Sequence, residues 1–575
     1  MRGAVDRWFG APATEQAVVS PNGDAIAYRE TGRSNGLGVY ELTSGETRWL
    51  GTDAELGPIV DHIAWSWDDE RVLYHQSVTD EGATLWSVDR DGEQDAVICE
   101  AGSVLLADVG HSGLLWLDRS RWELHYTGRD GDTNAVRTDE TVEVYGASFD
   151  PTGTLIAYTG VDADGTGVFL TDLAGDEHTR LRNEHAMGVR DWSDVGILVE
   201  LDTMAIDRPN IGVIEPVPAV GTDAPSIEAN AVGSTEYIEH PLQLHQDGRI
   251  LAEQRGHDAT LRPIVYTPDG DCQPIPLPAG VADVAGEGYG AVLADDRIVV
   301  RTETPSRPRE AWTAKVEPPG TAEPLLPTDV ELRGQGARHV RIDGGDGPIG
   351  VIIFEPSGDG PHPVVIRVPE RPVSQCWQSF RPLDQVMLEC GMGVAWVNQR
   401  GATAYLGGNG GLTGAFGAGD QDDIQRAAAW VSARSWVDAD RLAIAGRAYG
   451  GYSTVLQLAH APELYAAGVA WDPIGDLEAY VEGDTAGARA VRAWLAEVPP
   501  TDWQHRNPVR VSGAIQAPIA LMQSVDDPPV PADHTERIRA ALARTGSPPT
   551  WWEVTDVRTG AARMVQWLSA VLDLE

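Results

Sequence analysis

Gly446-Arg447-Ala448-Tyr449-Gly450-Gly451 is the stretch that decides the fold of the C-terminal half. It follows an apolar, strand-like run at 441–445 and precedes a helical pattern that we predict from Tyr452 to His460. A strand, a sharp turn flanked by glycines and a helix together form the nucleophile elbow G-x-S-x-G. Glycines are needed there because the turn is strained and its neighbours pack closely. The nucleophile position holds Ala448, however, and a methyl group cannot attack a carbonyl.

The sequence around the elbow alternates buried strands with helical patterns. The predicted strands are 364–366, 393–397, 442–444, 467–470 and 519–522, and the predicted helices are 422–433, 452–460, 534–544 and 561–572. This alternation predicts a mostly parallel sheet that is covered by helices on both faces.

The N-terminal half has a different period. A tight turn followed by a short alternating strand recurs at 20–28, 66–74 and 150–158, with weaker echoes between and after them. The spacing is roughly 40–50 residues, which is typical of propeller blades, and it predicts about seven of them. We expect the abundant tryptophans, such as Trp65 and Trp116, to lie in the blade cores.

The composition excludes several kinds of partner. Acidic residues number 87 against 43 basic ones, a formal charge of −44, and Lys315 is the only lysine. Such a surface repels nucleic acid and anionic membranes, so we expect neither as a partner. It also repels itself, and at molar salt the Debye length falls to about 3 Å. We therefore predict an acidic, halophilic, cytoplasmic protein from a high-salt organism.

The cysteines and the N-terminus carry no further signal. The four cysteines are scattered and lack metal-ligand spacing, so we expect no disulfide framework, no metal and no cofactor. Residues 1–20 lack the pattern of a signal peptide, and no run approaches the ~18 apolar residues of a membrane span.

Several further motifs point to one family. Residues 397–401 read like the strand end N-x-R-G, 461–469 like the segment after the elbow, and 526–531 like an acid-bearing loop. With the elbow, these residues resemble the prolyl oligopeptidase family of serine peptidases, especially its acylaminoacyl-peptidase-like branch, over nearly the whole chain. The resemblance implies two domains: a seven-bladed β-propeller over 1–326 and an α/β-hydrolase domain with a mostly parallel sheet over 327–575.

The resemblance also assigns the catalytic positions, and most of them are altered. Ala448 stands at the nucleophile, Thr559 stands at the histidine base, and Asp527 matches the acid as the only retained triad member. The oxyanion-side motif H-G-G-P is matched by Pro369-Glu370-Arg371-Pro372, where charged residues replace flexible glycines. Losing the serine alone costs about a millionfold in kcat in a model protease. We therefore predict a catalytically inactive pseudo-peptidase.

Other residues near the elbow have structural interpretations. Arg447 fits a surface salt bridge better than an anion site, and Asp527 fits a loop brace. We expect a backbone-bonded helical Ser453, a helix-ending His460 and an exposed His534. The glycine-rich segment 407–419 predicts a mobile loop, since it lacks the ending of a phosphate loop, and the acidic run 420–423 predicts a solvated helix start.

Three functional hypotheses follow. The first is an inactive homologue that binds peptides, or that assembles with itself or with active relatives, with the cleft-lining residues Glu370, Arg371, Arg447 and Tyr449 as candidate contacts. The second is an active peptidase or acylaminoacyl peptidase that acts on short peptides with relocated catalytic residues. The third is an interaction module in which the propeller is the functional part.

Overall fold

The computed structural model describes residues 1–574 except 33–34, 57–58, 79–81, 93–94, 102–103, 137–142, 163–164, 182–185, 203–208, 216, 218, 221–228, 285–296, 317–320, 327–332, 403–410, 484 and 526–528. Asp527, the predicted acid, therefore lies outside the described residues, as does part of the glycine-rich segment. The predicted domain boundary at 326/327 also falls at an undescribed stretch and stays a prediction.

The N-terminal part consists of four-stranded antiparallel sheets. The first three are β1–β4 (Ala13–Val19, Ala25–Thr31, Gly36–Glu41, Glu46–Thr52), β5–β8 (Ile59–Trp65, Arg71–Val78, Gly82–Asp89, Asp95–Ala101) and β9–β12 (Val104–Gly110, Gly113–Asp118, Glu123–Gly128, Thr133–Ala135). The next two are β13–β16 (Glu143–Phe149, Leu155–Asp162, Gly165–Asp172, His178–Leu181) and β17–β20 (Ala186–Ser193, Gly196–Leu201, Ile211–Ile214, Asn230–Val232). Two helices accompany them, α1 (Arg2–Phe9) and α2 (Asp53–Leu56).

An eight-stranded sheet completes the N-terminal part. It contains β21–β24 (Ile238–Leu244, Ile250–Arg255, Leu261–Tyr266, Cys272–Pro274) and β25–β28 (Val281–Val284, Arg297–Thr304, Arg307–Lys315, Ala322–Pro324). A single parallel bridge between Leu261 and Val281 joins these two sets of strands. Each set has the meander of one blade, so the sheets make seven blades, as the repeat predicted.

The turn that recurs in the sequence connects the first two strands of a blade, as the first blade illustrates. Ser20 directly follows β1, and its hydroxyl accepts hydrogen bonds from the N–H groups of Asp24 and Ala25 at 3.2 and 3.0 Å. Gly23 has a φ of +76°, which the turn requires and which glycine adopts without a Cβ penalty. The strand that follows buries Ala25, Ile26 and Ala27 completely.

The C-terminal part is built on one mixed sheet. Its strands are β29 (Arg338–Asp343), β30 (Pro348–Phe354), β31 (His362–Val368), β32 (Gly393–Asn398), β33 (Val437–Arg447), β34 (Ala467–Trp471), β35 (Ile519–Ser524) and β36 (Thr550–Val554). Their order in the sheet is β29-β30-β32-β31-β33-β34-β35-β36. The pairs β29–β30 and β30–β32 are antiparallel, and the other neighbours are parallel.

Helices pack on both faces of this sheet. They are α3 (Pro382–Glu389), α4 (Gly419–Ser432), α5 (Tyr449–His460), α6 (Leu477–Glu482), α7 (Ala486–Trp494), α8 (Trp503–Arg506), α9 (Pro508–Val511), α10 (Ala532–Arg544) and α11 (Val557–Val571). Within the described residues, no helix has both the length and the apolar character that a membrane span requires.

Every predicted strand and helix of this part is present. The prediction that the acidic run 420–423 is a solvated helix start is wrong for most of its residues. Helix α4 begins at Gly419, earlier than predicted, and Asp420 and Asp423 are 0% and 3% exposed. Asp423 pairs with Arg400 at 2.8 Å, so its burial is compensated by an ion pair. Only Asp422 has the exposure that we expected of the run.

The two parts contact each other through backbone and side-chain hydrogen bonds. Gln378 donates its backbone N–H to the carbonyl of Ala259 at 2.8 Å, and the Gln385 amide donates to the carbonyl of Pro305 at 2.9 Å. Helix α1, although it precedes the first blade, packs with the C-terminal core through Ala4, Val5 and Trp8.

Candidate active site

Ala448 occupies a strained turn between β33 and α5. Its φ and ψ are 49° and −109°, a left-handed conformation that is rare for any residue but glycine. Its N–H donates to the carbonyl of Trp471 at 2.9 Å, and its own carbonyl accepts from the N–H of Tyr452 at 2.9 Å. The backbone geometry of a nucleophile elbow is thus present, and only the side chain lacks a reactive atom.

The three glycines of the motif are required by close packing. A Cβ on Gly446 would lie 2.4 Å from the carbonyl carbon of Gly450. A Cβ on Gly450 would lie 2.6 Å from the carbonyl oxygen of Val368, and one on Gly451 would lie 2.8 Å from that of Trp471. The turn is therefore pressed against the end of β31, which brings the segment after Val368 beside the elbow.

This packing engages a hydrogen-bond donor next to the elbow. The backbone N–H of Tyr449 donates to the carbonyl of Glu370 at 3.1 Å. In hydrolases with this elbow, the N–H of the residue after the nucleophile stabilises the oxyanion of the transition state. Here the protein's own chain holds that donor, so it is not free for a substrate carbonyl.

Arg447 links three strand ends through an ion pair. Its Nε donates to Oδ2 of Asp472 at 2.9 Å, and Asp472 is 0% exposed. Asp472 also accepts from the backbone N–H and the hydroxyl of Ser524, both at 2.7 Å. A longer contact of 3.7 Å joins Arg447 to the exposed Glu370. The predicted salt bridge of Arg447 is therefore present, but its main partner is buried.

The indole of Trp471 fills the space beside this ion pair. Its Nε1 donates to the hydroxyl of Ser524 at 3.0 Å, and the guanidinium carbon of Arg447 lies 5.4 Å from the ring centroid. On its other side, a Cβ on Gly560 would lie 2.5 Å from the ring. The side chain thus reaches from the elbow strand to the segment that carries Thr559.

Thr559 has a structural role at the start of α11. Asp556 is the N-cap of that helix, and its Oδ1 accepts the backbone N–H of Thr559 at 2.7 Å. Its Oδ2 accepts the hydroxyl of Thr559, also at 2.7 Å. These hydrogen bonds hold the pKa of Asp556 below its usual value. The residue at the base position therefore caps a helix and offers no proton acceptor.

Tyr449 does not line a cleft with its side chain, contrary to the prediction. The side chain is 2% exposed, and its hydroxyl donates to Asp420 at 2.7 Å. Burial raises the pKa of Asp420 to about 6 and that of Tyr449 well above its usual value. Glu370 and Arg371, in contrast, are exposed, and their place in a peptide-binding cleft stays a prediction.

The remaining residues considered near the elbow are not brought together with it. Ser453 is buried and accepts from the Gln421 amide at 3.0 Å. His534 is 5% exposed, so the prediction of an exposed residue was wrong, and its Nδ1 accepts the backbone N–H of Asp476 at 3.2 Å. His460 is the last residue of α5, as predicted, and is exposed.

No sequence motif marks Asp472, Ser524 and Trp471, which lie beside the elbow in space. Each stands at or just after the end of a parallel strand, and carboxyl ends of neighbouring parallel strands meet at one edge of a sheet. A polar residue directly after a buried strand was the available signal. In the described residues, no group of three or more His, Cys, Asp or Glu side chains is arranged to hold a metal ion.

The arrangement has no nucleophile at the elbow and no histidine beside it among the described residues. The hydroxyl that lies beside the Arg447–Asp472 ion pair is that of Ser524. Its hydrogen-bond partners are Arg447, Trp471 and Asp472. Two of these are donors and one is a carboxylate. The site therefore holds an ion pair between a half-buried arginine and a buried aspartate, beside an intact backbone turn.

Comparisons with known sequences cover part of the chain. Residues 378–559 match the model described as the prolyl oligopeptidase family. Dipeptidyl aminopeptidase BIII from Pseudoxanthomonas mexicana is 26% identical over 232 residues. This alignment covers 36% of the chain and 31% of that protein, so the chain matches about a third of the relative's length.

Solved structures cover the whole chain. Acylaminoacyl peptidase from Pyrococcus horikoshii has a TM-score of 0.73 and 15% identity, over 99% of this chain and 96% of that one. A serine-to-alanine mutant of puromycin hydrolase complexed with PGG has a TM-score of 0.73 and 17% identity, over 100% and 96%. At such identities the likeness shows the fold, and it confirms the predicted class of a propeller joined to an α/β-hydrolase domain.

Proposed function

We propose that this chain is a prolyl oligopeptidase family homologue that has lost hydrolysis and retains peptide binding between its two domains, and the match of residues 378–559 to that family's model supports the assignment. The observation that carries the proposal is the elbow itself, where Ala448 has the strained backbone of a nucleophile but only a methyl side chain. Loss of the serine alone costs about a millionfold in kcat in a model protease.

Two further features support inactivity. The Tyr449 N–H is bonded to the Glu370 carbonyl, and removing one oxyanion donor costs about 10²–10³ in kcat. Thr559 donates its hydroxyl to Asp556 and supplies no base. These losses act on the same step, so they are not additive, but each would have to be reversed before this mechanism could run.

Retained binding is supported by the preserved framework. The turn, its glycine packing and the exposed Glu370 and Arg371 remain at the strand ends, where ligands bind in open α/β sheets. The neighbour solved with PGG is itself a serine-to-alanine mutant, so in that protein loss of the hydroxyl is compatible with a complex. The same holds for this chain in our proposal.

A fluorophosphonate probe tests inactivity directly. We expect the recombinant protein in molar salt to show no stoichiometric labelling, because an activated serine is required. Binding is tested separately by calorimetry with short free and N-acylated peptides, for which we expect saturable binding without turnover. Stoichiometric labelling would refute inactivity, and a complete lack of peptide binding would refute the retained role.

Ser524 favours one alternative function, an active hydrolase with a relocated nucleophile. Its hydroxyl donates to the buried Asp472 at 2.7 Å, a contact that a general base would make. Mass spectrometry of the probe-treated protein distinguishes the two functions. A label on Ser524 that disappears in Ser524→Ala would establish the alternative, whereas an unlabelled protein supports the proposal.

A further inference from the structure

A second cluster of charged side chains lies beneath α3, on the face of the sheet away from the elbow helix. It contains Arg367 of β31, Arg381 at the N-cap of α3, and Asp384 in its first turn. Arg367 is 9% exposed and Asp384 is 1% exposed. The guanidinium carbons of Arg367 and Arg381 lie 4.7 and 4.5 Å from the ring of Trp396. Two permanently charged groups therefore share one largely buried site.

The hydrogen-bond donors of this cluster exceed its acceptors. Among the described residues, Nε and Nη1 of Arg367 and Nε of Arg381 are buried without a hydrogen-bond partner. Each guanidinium has about five N–H donors and no acceptor. The unpaired acceptor of the cluster is Oδ1 of Asp384, which lies 4.0 Å from Nη1 of Arg367, while its Oδ2 accepts the Trp396 indole N–H at 2.6 Å.

Among the three charged side chains of the cluster, positive charges outnumber negative ones, just as donors outnumber acceptors. Asp384 supplies one negative charge against two positive ones. The nearby thiol of Cys376 adds none, because burial raises its pKa to about 12. Glu303, the next carboxylate toward Arg381, already accepts from Arg309 at 3.0 Å and from the Phe380 N–H at 3.3 Å. The charge of Glu303 also acts on Arg381, and Arg309 pairs with Glu15 as well as with Glu303. What the cluster retains is therefore a set of unused donors.

We propose that this Arg367–Arg381 cluster binds a small monovalent anion of halide size. Buried polar groups in proteins are almost always hydrogen-bonded, and unpaired donors call for an acceptor. A cation is excluded because the unpaired groups are mostly N–H donors of two guanidinium groups, which call for an acceptor. Phe380 and Pro382, on either side of Arg381, line a crevice of 640 Å³ between the two domains.

The anion would have a structural consequence near the elbow. Arg367 lies on β31 just before Pro369 and Glu370, whose carbonyl holds the Tyr449 N–H. An anion on Arg367 would fix the end of this strand and so hold that segment in place. The site is independent of the proposed peptide binding, because it lies on the opposite face of the sheet.

Crystals of the wild-type protein grown in bromide provide the direct test. We expect an anomalous bromide peak in contact with the guanidinium of Arg367. In solution, replacing glutamate by chloride at constant ionic strength should raise Tm by about 3 °C or more, because a ligand that binds only the folded state stabilises it.

Two variants make the solution test specific. Arg367→Met removes the donors while keeping an unbranched side chain, and it should abolish the difference between chloride and glutamate. Arg434→Met is the matched control, since Arg434 also stacks on a tryptophan, Trp430 at 4.1 Å, but its Nε donates to a carbonyl at 3.0 Å. This control should keep the difference.

Three outcomes would overturn the inference. One is a water molecule in place of an anomalous peak. Another is a bromide peak without any anion-specific change in Tm, which would indicate an adventitious ion only. The third is an equal response of Tm to chloride in the wild type and Arg367→Met. If Arg367→Met does not fold, the wild-type crystal experiment still decides the matter.

Discussion

At the scale of single residues, the elbow has the backbone geometry of a catalytic turn but lacks the nucleophilic side chain that such a turn usually carries. A non-glycine residue with a φ of 49° costs on the order of 1–3 kcal/mol, and such strain is commonly kept where a mechanism uses it. Ala448 retains the strain without a reactive side chain. The surrounding glycines and the Trp471 carbonyl still fix the turn, so the conformation follows from packing alone.

Restoring the two missing side chains should restore little activity. We expect Ala448→Ser combined with Thr559→His to give at most feeble hydrolysis of a chromogenic ester in molar salt, because the Tyr449 N–H stays bonded to Glu370. Glycine keeps a backbone carbonyl at position 370, but its conformational freedom allows that carbonyl to turn away from the Tyr449 N–H. Adding Glu370→Gly and Arg371→Gly should therefore raise kcat by about 10²–10³, the value of one oxyanion donor. A variant that carries Thr559→His, Glu370→Gly and Arg371→Gly but keeps Ala448 measures the background rate of hydrolysis. Robust turnover by the two-residue variant would show that the donor is available after all.

Residue spacing predicted the altered positions but not the network that replaced them. Ala448 and Thr559 are recognisable because each stands at a fixed place beside glycines or before a helix. Asp472 and Ser524 are 52 residues apart, and only the parallel pairing of β34 and β35 brings them together. A sequence motif records neighbours along the chain, so it cannot report an ion pair assembled from separate strand ends.

At the scale of secondary structure elements, local sequence patterns predict the interiors of helices better than their ends. Helix α5 begins at Tyr449, three positions before the helical pattern becomes visible, because the elbow glycines obscure it. Helix α1 gave no signal, and its burial depends on Trp8, whose indole donates to Glu389 at 2.8 Å in α3. Tertiary contacts that are distant in sequence therefore decide what the periodicity leaves open.

The start of α11 depends on one cap. We expect Asp556→Ala to lower the free energy of unfolding of the C-terminal domain by about 1 kcal/mol, because it removes both hydrogen bonds to Thr559. The lowered pKa of Asp556 sets the sign of the pH effect: the contribution is present above the unfolded pKa of about 3.9 and is lost as pH falls through the folded value. Urea unfolding in molar salt measures it.

Two substitutions at Thr559 isolate the role of its hydroxyl. Thr559→Ser keeps the donor to Asp556 and should be nearly neutral, whereas Thr559→Val should lose part of the cap. Equal stability of Asp556→Ala and the wild type across pH 3–7 would contradict the assignment of Asp556 as the cap.

A blade-to-blade contact in the propeller should make its stability pH-dependent. Asp191 of β17 accepts the N–H of Leu244 in the next blade at 2.8 Å. Desolvation, with a smaller effect of Asp108, raises the pKa of this half-buried carboxyl to about 7. Since the folded pKa lies above the unfolded one, its contribution to stability is present below about pH 4 and is lost as pH rises through about 7.

Asp191→Asn removes this titration while keeping an acceptor for Leu244. We expect the variant to lose stability less steeply than the wild type between about pH 4 and 7, by at most about 1.4 kcal/mol per pH unit. Asp269→Asn, at an exposed turn, controls for the loss of one charge and should keep the wild-type slope. Parallel curves of Tm against pH for Asp191→Asn and the wild type would refute the assignment.

At the scale of the whole molecule, the charge of −44 is spread over an accessible surface of 24036 Å². The ion pairs that the structure contains are mostly arginine with carboxylate, as between Arg90 and Glu41 at 2.6 Å or Arg301 and Asp283 at 2.9 Å. With 43 basic residues against 87 acidic ones, carboxylates outnumber cationic side chains about two to one, so negative charge remains in excess even where one arginine pairs with two carboxylates. The unpaired excess repels itself in the folded state more than in the expanded one.

Salt should therefore stabilise the fold by screening, and its removal should destabilise it. The Debye length is about 10 Å at 0.1 M and about 3 Å at 1 M, so at low salt each carboxylate senses many neighbours. We expect Tm to fall by roughly 5 °C or more when potassium glutamate is lowered from 2 M to 0.1 M, measured by calorimetry. Glutamate avoids any contribution of the Arg367–Arg381 cluster to this change. Sucrose at 1 M is the control, since it is excluded from protein surfaces but screens no charge, and it should recover only part of the loss. A Tm that is independent of glutamate concentration, or that sucrose restores fully, would mean that repulsion among the carboxylates does not limit this fold.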